Sequence, residues 1–306
     1  MEHIPVLLNE VIEGLNIRSD GIYLDLTLGR AGHSKEILKR LDKGLLIGVD
    51  QDEDALIKSD EVLKTISSNY ELIKSNFVHI KEILLEKGIQ KVDGVLMDLG
   101  VSSPQFDEKD RGFSYREDAR LDMRMDKDNS LTAEIILNTY SYEKLCQIFR
   151  EYGEEKYSSS IAKNIIKERN KKPIETTYEL VEIIKRSKPQ KELKKVGHPA
   201  KQIFQALRIE VNDELNVLER TLRDIIPMLN SKGRIAVITF HSLEDRIVKN
   251  IFKEYSITEG NRNNLPLRLE EKEFQQVNHK VITASEEELK SNHRSVSAKL
   301  RILERK

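Results

Sequence analysis

Residues 22–50 confine the chain to a narrow set of folds. The apolar stretch Ile22 to Leu24 runs into DLTLGRAGHS, Asp25 to Ser34, and a second apolar stretch, Leu45 to Val49, ends in Asp50. That order spells a strand, a glycine loop, a helix over Lys35 to Leu41, and a strand closed by an acid. Gly29 and Gly32 let the backbone turn tightly and approach a ligand, and the helix directs its unpaired N–H groups at whatever the loop holds. An ionised acid at the end of the next strand can accept from two adjacent ribose hydroxyls, so the pattern points to a nucleoside cofactor. The dinucleotide fingerprint needs G-x-G-x-x-G. Position 27 is Thr and position 31 is Ala, so a pyrophosphate cradle is disfavoured. S-adenosyl-L-methionine, with a ribose, an adenine and an amino-acid end but no pyrophosphate, fits better than NAD.

Further strand-like runs, Tyr70 to Lys74, Gly94 to Met97 and Arg234 to Phe240, alternate with helical patterns. Alternation of this kind predicts an α/β fold with a mostly parallel sheet covered on both faces. More than a hundred residues separate Asp98 from Arg234 without a convincing strand, and they carry helical patterns at Tyr142 to Phe149, Ser159 to Arg169 and Tyr178 to Lys185. The expectation is an inserted helical domain over 108–200 within a discontinuous domain of 1–107 and 201–306. Lys280 to Thr283 and Ala298 to Leu303 read as two last strands that give the sheet an antiparallel edge. Thr258 to Asn264 has turn composition.

At 306 residues the chain is long enough for well-buried cores. No apolar run approaches the roughly 20 residues needed to span a bilayer, and the start lacks a secretory pattern. A soluble, cytoplasmic protein is expected. The single cysteine, Cys146, excludes an internal disulfide and a cysteine-cluster metal site, and no metal is expected. The net charge of −1 conceals an uneven distribution: Lys163 to Lys201 holds twelve basic residues against five acidic ones, so that segment carries +7 and the remainder −8. A basic region in an otherwise acidic chain suits a phosphate backbone, and a solvated helical surface is the competing reading.

The fourth strand runs into DLGVSSPQF, Asp98 to Phe106. In an open parallel sheet the ligand lies beyond the carboxyl ends of the strands, so Asp98 should share a crevice with Gly29 and Asp50. An exocyclic base amine is a poor nucleophile until acceptors hold its N–H groups and let nitrogen become tetrahedral. Asp98, Ser102 and Ser103, with carbonyls braced by Pro104, are the candidate catalytic acceptors; capping of a local turn is the alternative.

Seven motifs in one order carry a resemblance: HIPVLLNEVIEGL (His3 to Leu15), GIYLDLTLGRAGHS (Gly21 to Ser34), DGVLMDLGVSSPQFD (Asp93 to Asp107), RGFSYR (Arg111 to Arg116), LDMRMD (Leu121 to Asp126), HPAKQIFQALRIEVN (His198 to Asn212) and FHSLEDRIVK (Phe240 to Lys249). The chain resembles the bacterial small-subunit ribosomal RNA cytosine-N4 methyltransferases of the RsmH or MraW type. The resemblance implies a class I S-adenosylmethionine-dependent methyltransferase fold with an inserted helical domain that recognises RNA. It also implies a cytidine in the decoding region of small-subunit ribosomal RNA as target, offered as RNA or as the assembled small ribosomal subunit. Carried over by motif, Ala31, Gly32 and His33 line the methionine end of the cofactor, Asp50 holds the ribose, Phe77 sits near the adenine, and Asp98 and Gln105 complete the pocket. Ala31 stands where the family commonly has glycine.

Arg111, Arg124, Arg208 and Arg246 lie in matching motifs, where a planar fork suits phosphate or cytosine edges; pairing with Asp122, Asp126 or Glu244 is the competing reading. His241 is read as a substrate ligand or a satisfied structural histidine, and Phe106 and Phe113 as stacking partners of a flipped base or as core. His33 and Ser34 could each cap the glycine-loop helix instead. The sequence allows a homodimer. A non-enzymatic ribosome-assembly factor and a dinucleotide-dependent oxidoreductase are the alternatives from other classes.

Overall fold

The computed structural model describes residues 5–100, 109–257 and 272–306. The expected turn at Thr258 to Asn264 lies outside them, as do Ser102, Ser103, Pro104, Gln105 and Phe106. The chain divides into two compact units, Met1–Gly100 with Leu215–Lys306, and Val101–Glu214.

The first unit is built on a seven-stranded sheet of β1 (Ile22–Asp25), β2 (Leu45–Asp50), β3 (Tyr70–Lys74), β4 (Val92–Asp98), β5 (Leu229–Thr239), β6 (Phe274–Gln276) and β7 (Lys299–Arg305). Its order is β3-β2-β1-β4-β5-β7-β6. The first five strands pair in parallel, and β7 runs antiparallel to both β5 and β6. β4 is buried from Val92 to Met97, as a strand covered on both faces must be. Leu24, Ile47, Val95 and Val237 belong to one apolar cluster, while Tyr23, Leu46, Leu96 and Ala236 belong to another. Strand order reverses between β1 and β4, so the connections leaving these neighbours diverge and open a crevice at the carboxyl edge. Three strands end on an aspartate at that edge: β1 on Asp25, β2 on Asp50 and β4 on Asp98.

The antiparallel edge is present, but its outer strand is Phe274–Gln276 and not the expected Lys280 to Thr283. The Asn278 side chain is the physical reason. Its Oδ1 accepts from Ile302 N at 2.8 Å and its Nδ2 donates to Leu300 O at 3.1 Å, occupying ladder positions on β7. Only an isolated bridge, Ile282 to Leu300, remains for the later segment.

The second unit is helical, with helices Ala133–Thr139, Tyr142–Glu151, Ser158–Arg169, Thr177–Ser187 and Lys201–Asn212 around a core that includes Leu145, Phe149, Ile161, Ile184, Phe204 and Leu207. Thr132, Ser141 and Thr176 accept from the backbone N–H three residues on, and Glu179 closes a capping box with Thr176. The expected end of this unit at residue 200 is displaced to Glu214, because Ile203, Phe204, Ala206 and Leu207 are part of its core. Cys146 is buried there as a small apolar residue. No helix among the described residues is long and apolar enough to cross a membrane.

Candidate active site

The glycine loop rests on two left-handed residues. Gly29 has φ of +52° and Ala31 φ of +55°, the latter in a region where a Cβ is unfavourable. That is why glycine is the easier residue at position 31. Gly32 has a different reason from the one its sequence suggests. A Cβ there would stand 2.6 Å from Pro5 Cγ, so the position is kept small by an N-terminal segment packed on the loop. The helix itself begins at Gly32 and ends at Leu38, earlier than expected.

Asp50 is held by that loop. Its Oδ2 accepts from Gly29 N and its Oδ1 from Asp52 N, each at 2.9 Å. Burial pushes its carboxyl up to about 6, against the pull of those two N–H groups. The carboxylate is thus aimed by backbone and retains lone pairs for a further donor.

Asp25 is 2% exposed. Its Oδ2 accepts from Ser34 Oγ at 2.7 Å and its Oδ1 from Thr27 N at 3.1 Å. Ser34 therefore serves Asp25 and not the end of its helix. Asp98, at the tip of β4, is the opposite case. Its backbone N–H donates to Thr27 Oγ1 at 2.6 Å, yet no donor among the described residues reaches its buried Oδ1. Burial, with Asp25 and Glu244 nearby, pushes the Asp98 carboxyl up to about 8, partly opposed by Arg294.

His33 Nδ1 lies 3.7 Å from Asp98 Oδ2, and its Nε2 is 2.9 Å from the carbonyl oxygen of Val6. A carbonyl only accepts, so the proton sits on Nε2 and Nδ1 carries a lone pair. Burial holds the imidazole down at about 4. His33 neither caps its helix nor carries charge.

Phe77 opens a short turn, Phe77–His79, after β3, where Asn76 Oδ1 accepts from Val78 N at 3.0 Å and the ring packs half-buried on the core. His241 carries a structural task, the reading that stands beside the substrate contact. It is the N-cap of helix Ser242–Ser256 in a capping box whose other half is Glu244, with Glu244 Oε2 accepting from Phe240 N at 2.8 Å and His241 N at 3.2 Å. His241 Nε2 stands 3.0 Å from Glu244 Oε1, but not in hydrogen-bonding alignment.

The arginines expected at the substrate are clamps of the helical unit. Buried Arg111 donates to the carbonyls of Arg124 and Met125 at 2.8 and 3.1 Å and lies over Phe113, itself in the core. Arg124 forms a fork on Asp122 with bonds of 2.9 and 2.8 Å and reaches the carbonyls of Lys127 and Asn129. Arg208 makes two 2.8 Å bonds to Glu214. The pairing of Arg124 with Asp122 is the competing reading the sequence offers; Glu214 and the carbonyl partners are not legible there. Sequence reasoning assigns no role to Asp25, Thr27 or Arg294, although Asp25 and Thr27 stand in the glycine-loop motif, and it offers Glu244 only as a partner of an arginine.

Asp98 Oδ1 and His33 Nδ1 both require donors, Asp50 retains lone pairs suited to a diol, and the carboxyl groups of Asp25, Asp50 and Asp98 stand at the crevice edge. A ligand with a cationic amino-acid end and a ribose meets each need. The residues present therefore fit S-adenosylmethionine. Strand order, the reversed seventh strand and this crevice define a class I S-adenosylmethionine-dependent methyltransferase.

The chain belongs to the MraW methylase family, whose model matches residues 1–306. It is 54% identical over 309 residues to ribosomal RNA small subunit methyltransferase H of Mesoplasma florum, covering 100% of this chain and 99% of the relative. The protein of the same name from Exiguobacterium sibiricum is 53% identical over 306 residues, covering 99% and 98%. Among solved structures, an rRNA methylase from Streptococcus thermophilus matches with a TM-score of 0.45 and 11% identity over 99% of both chains.

Proposed function

We propose that this protein moves a methyl group from S-adenosylmethionine to the N4 amine of a cytidine in the decoding region of small-subunit ribosomal RNA, in the cytoplasm. The family and the names of its relatives support the class of substrate. The unpartnered Asp98 Oδ1 at the carboxyl end of β4 carries the amine. When bound, S-adenosylmethionine would supply an electrophilic methyl on a sulfonium sulfur, with a neutral thioether as the leaving group.

Asp50 would take the ribose hydroxyls, the Ala31–His33 backbone the methionine end, and Phe77 the adenine. Asp98 accepts an N–H of the target amine, which frees the nitrogen lone pair from the ring as nitrogen becomes tetrahedral, and then takes the proton the methylated nitrogen must lose. Ser102, Ser103 and Gln105 lie outside the described residues and remain assigned to this mouth by motif. The helical unit would present RNA-binding surface.

Mass mapping of ribosomal RNA from cells lacking the protein tests this reading. One missing cytidine methyl, restored by the wild-type gene and not by Asp98→Asn, is the expected result. A complete modification pattern overturns it and leaves an assembly factor.

A further inference from the structure

Two carboxyl groups, Asp25 and Asp98, end neighbouring strands, and their surroundings are opposite. Asp25 receives three donors: Thr27 N at 3.1 Å, Thr27 Oγ1 at 3.5 Å and Ser34 Oγ at 2.7 Å. Asp98 Oδ1 receives none among the described residues. A hydroxyl has one hydrogen, and the Thr27 hydroxyl directs it at Asp25, which leaves its lone pair for the N–H of Asp98 at 2.6 Å. The result is a chain, buried at Ser34 and Asp25 and part-buried at Thr27, that runs to the backbone of Asp98 and ties the glycine-loop helix and the ends of β1 and β4 together.

We propose that Asp25, Thr27 and Ser34 are positioning residues that fix the tip of β4 and make Asp98, not Asp25, the acceptor of the amine proton. The proposal rests on the methyl-transfer reading of Asp98 given above. Burial pushes both carboxyls up, but the Ser34 and Thr27 donors oppose that push on Asp25, whereas Asp98 Oδ1 has no such donor among the described residues and stays open to a proton. During transfer the amine N–H bond breaks, its proton passes to the Asp98 carboxylate, and from there it leaves to water. Asp98 is also faced by His33 from the glycine-loop helix, Glu244 from helix Ser242–Ser256 and Arg294 from the turn His293–Ser297. The charges of Asp25 and Glu244 push its carboxyl up, and that of Arg294 opposes them.

The test uses the full-length protein with small-subunit RNA in single-turnover methyl transfer across pH, with calorimetric binding of S-adenosylhomocysteine beside it. Thr27→Val should lower the rate at least about tenfold, since small misplacements of a reacting group are costly. Product affinity should change less than about threefold, and Thr27→Ser should recover most of the rate. Asp25→Asn removes a buried negative charge, so the rising limb of the pH profile should move to lower pH by at least about half a unit. Asp98→Asn, measured in parallel, should be inactive. If Thr27→Val and Asp25→Asn match wild type in rate and pH profile while Asp98→Asn is dead, the positioning chain is overturned and the role of Asp98 stands. An active Asp98→Asn overturns the underlying reading instead. Should Thr27→Val not fold, the Asp25→Asn limb decides: an unmoved limb rejects the proposal.

Discussion

The carbonyl oxygen of Val6 accepts a 2.9 Å hydrogen bond from His33 Nε2 and thereby sets which nitrogen of that ring is bare. Nδ1 then faces Asp98 Oδ2 at 3.7 Å with a lone pair. Two acceptors facing each other need a proton or a ligand donor near them, so the N-terminal segment shapes the hydrogen-bonding demand of the crevice from a distance in sequence.

His33 should accordingly stay neutral through the physiological range. Burial holds it at about 4, so nitrogen-15 shifts of a ring-labelled protein should show a single Nε2–H tautomer from about pH 5.5 upward. A titration midpoint near the ordinary histidine value of about 6.5 would mean that the ring is solvated and the Val6 hydrogen bond absent.

Asp98 should link cofactor binding to proton release. With its carboxyl at about 8 in the free protein, the group is mostly protonated at neutral pH, and an approaching cation favours the carboxylate. The sign follows: affinity for S-adenosylmethionine falls as pH drops below about 8, by up to about tenfold per unit, because the proton must first leave. Calorimetry in buffers of different ionisation enthalpy should show a proton released at pH 7 in wild type and none in Asp98→Asn. Equal proton release by both proteins would place the linkage elsewhere.

Asp50→Ala should weaken S-adenosylhomocysteine binding by roughly 1.5–3 kcal/mol, the range for a hydrogen bond to a charged group. It should also loosen the glycine loop, since Gly29 N and Asp52 N lose their acceptor. Hydrogen exchange at Gly29 separates the two effects. An unchanged affinity beside faster exchange would leave Asp50 as a loop brace only.

The strand, loop and terminal acids are legible in the sequence because they are local: Asp25, Gly29 and Asp50 lie on one short stretch whose apolar runs can only be strands flanking a turn. Partners far apart in the chain are not. Thr27 meets Asp98 across 71 positions, and Pro5, on the other side of β1, rather than a ligand explains Gly32. The outer strand differs from the expected one because a single amide, Asn278, can imitate a strand's hydrogen bonds, which no hydrophobic period reveals. Arg124 and Arg208 read equally well as phosphate ligands or as clamps until Asp122 and Glu214 stand within 2.8 Å of them.

The basic segment of the helical unit can be sorted by the same pairing. Lys171, Lys172 and Lys195 are held by Glu168, Glu179 and Glu192 at 3.0, 2.8 and 2.7 Å. Lys163, Lys167 and Arg186 are exposed and make no ion pair among the described residues. A paired lysine must break its ion pair before it can neutralise a phosphate, so the second group should dominate RNA affinity. Replacing Lys163, Lys167 and Arg186 by glutamine should reduce the slope of log affinity against log salt by about 0.7 to 0.9 for each phosphate that is no longer neutralised. The same change at Lys171, Lys172 and Lys195 should reduce it less, and neither set should alter S-adenosylmethionine affinity. An equal slope in wild type and both triple variants would show that the helical surface is merely solvated and that RNA is gripped elsewhere.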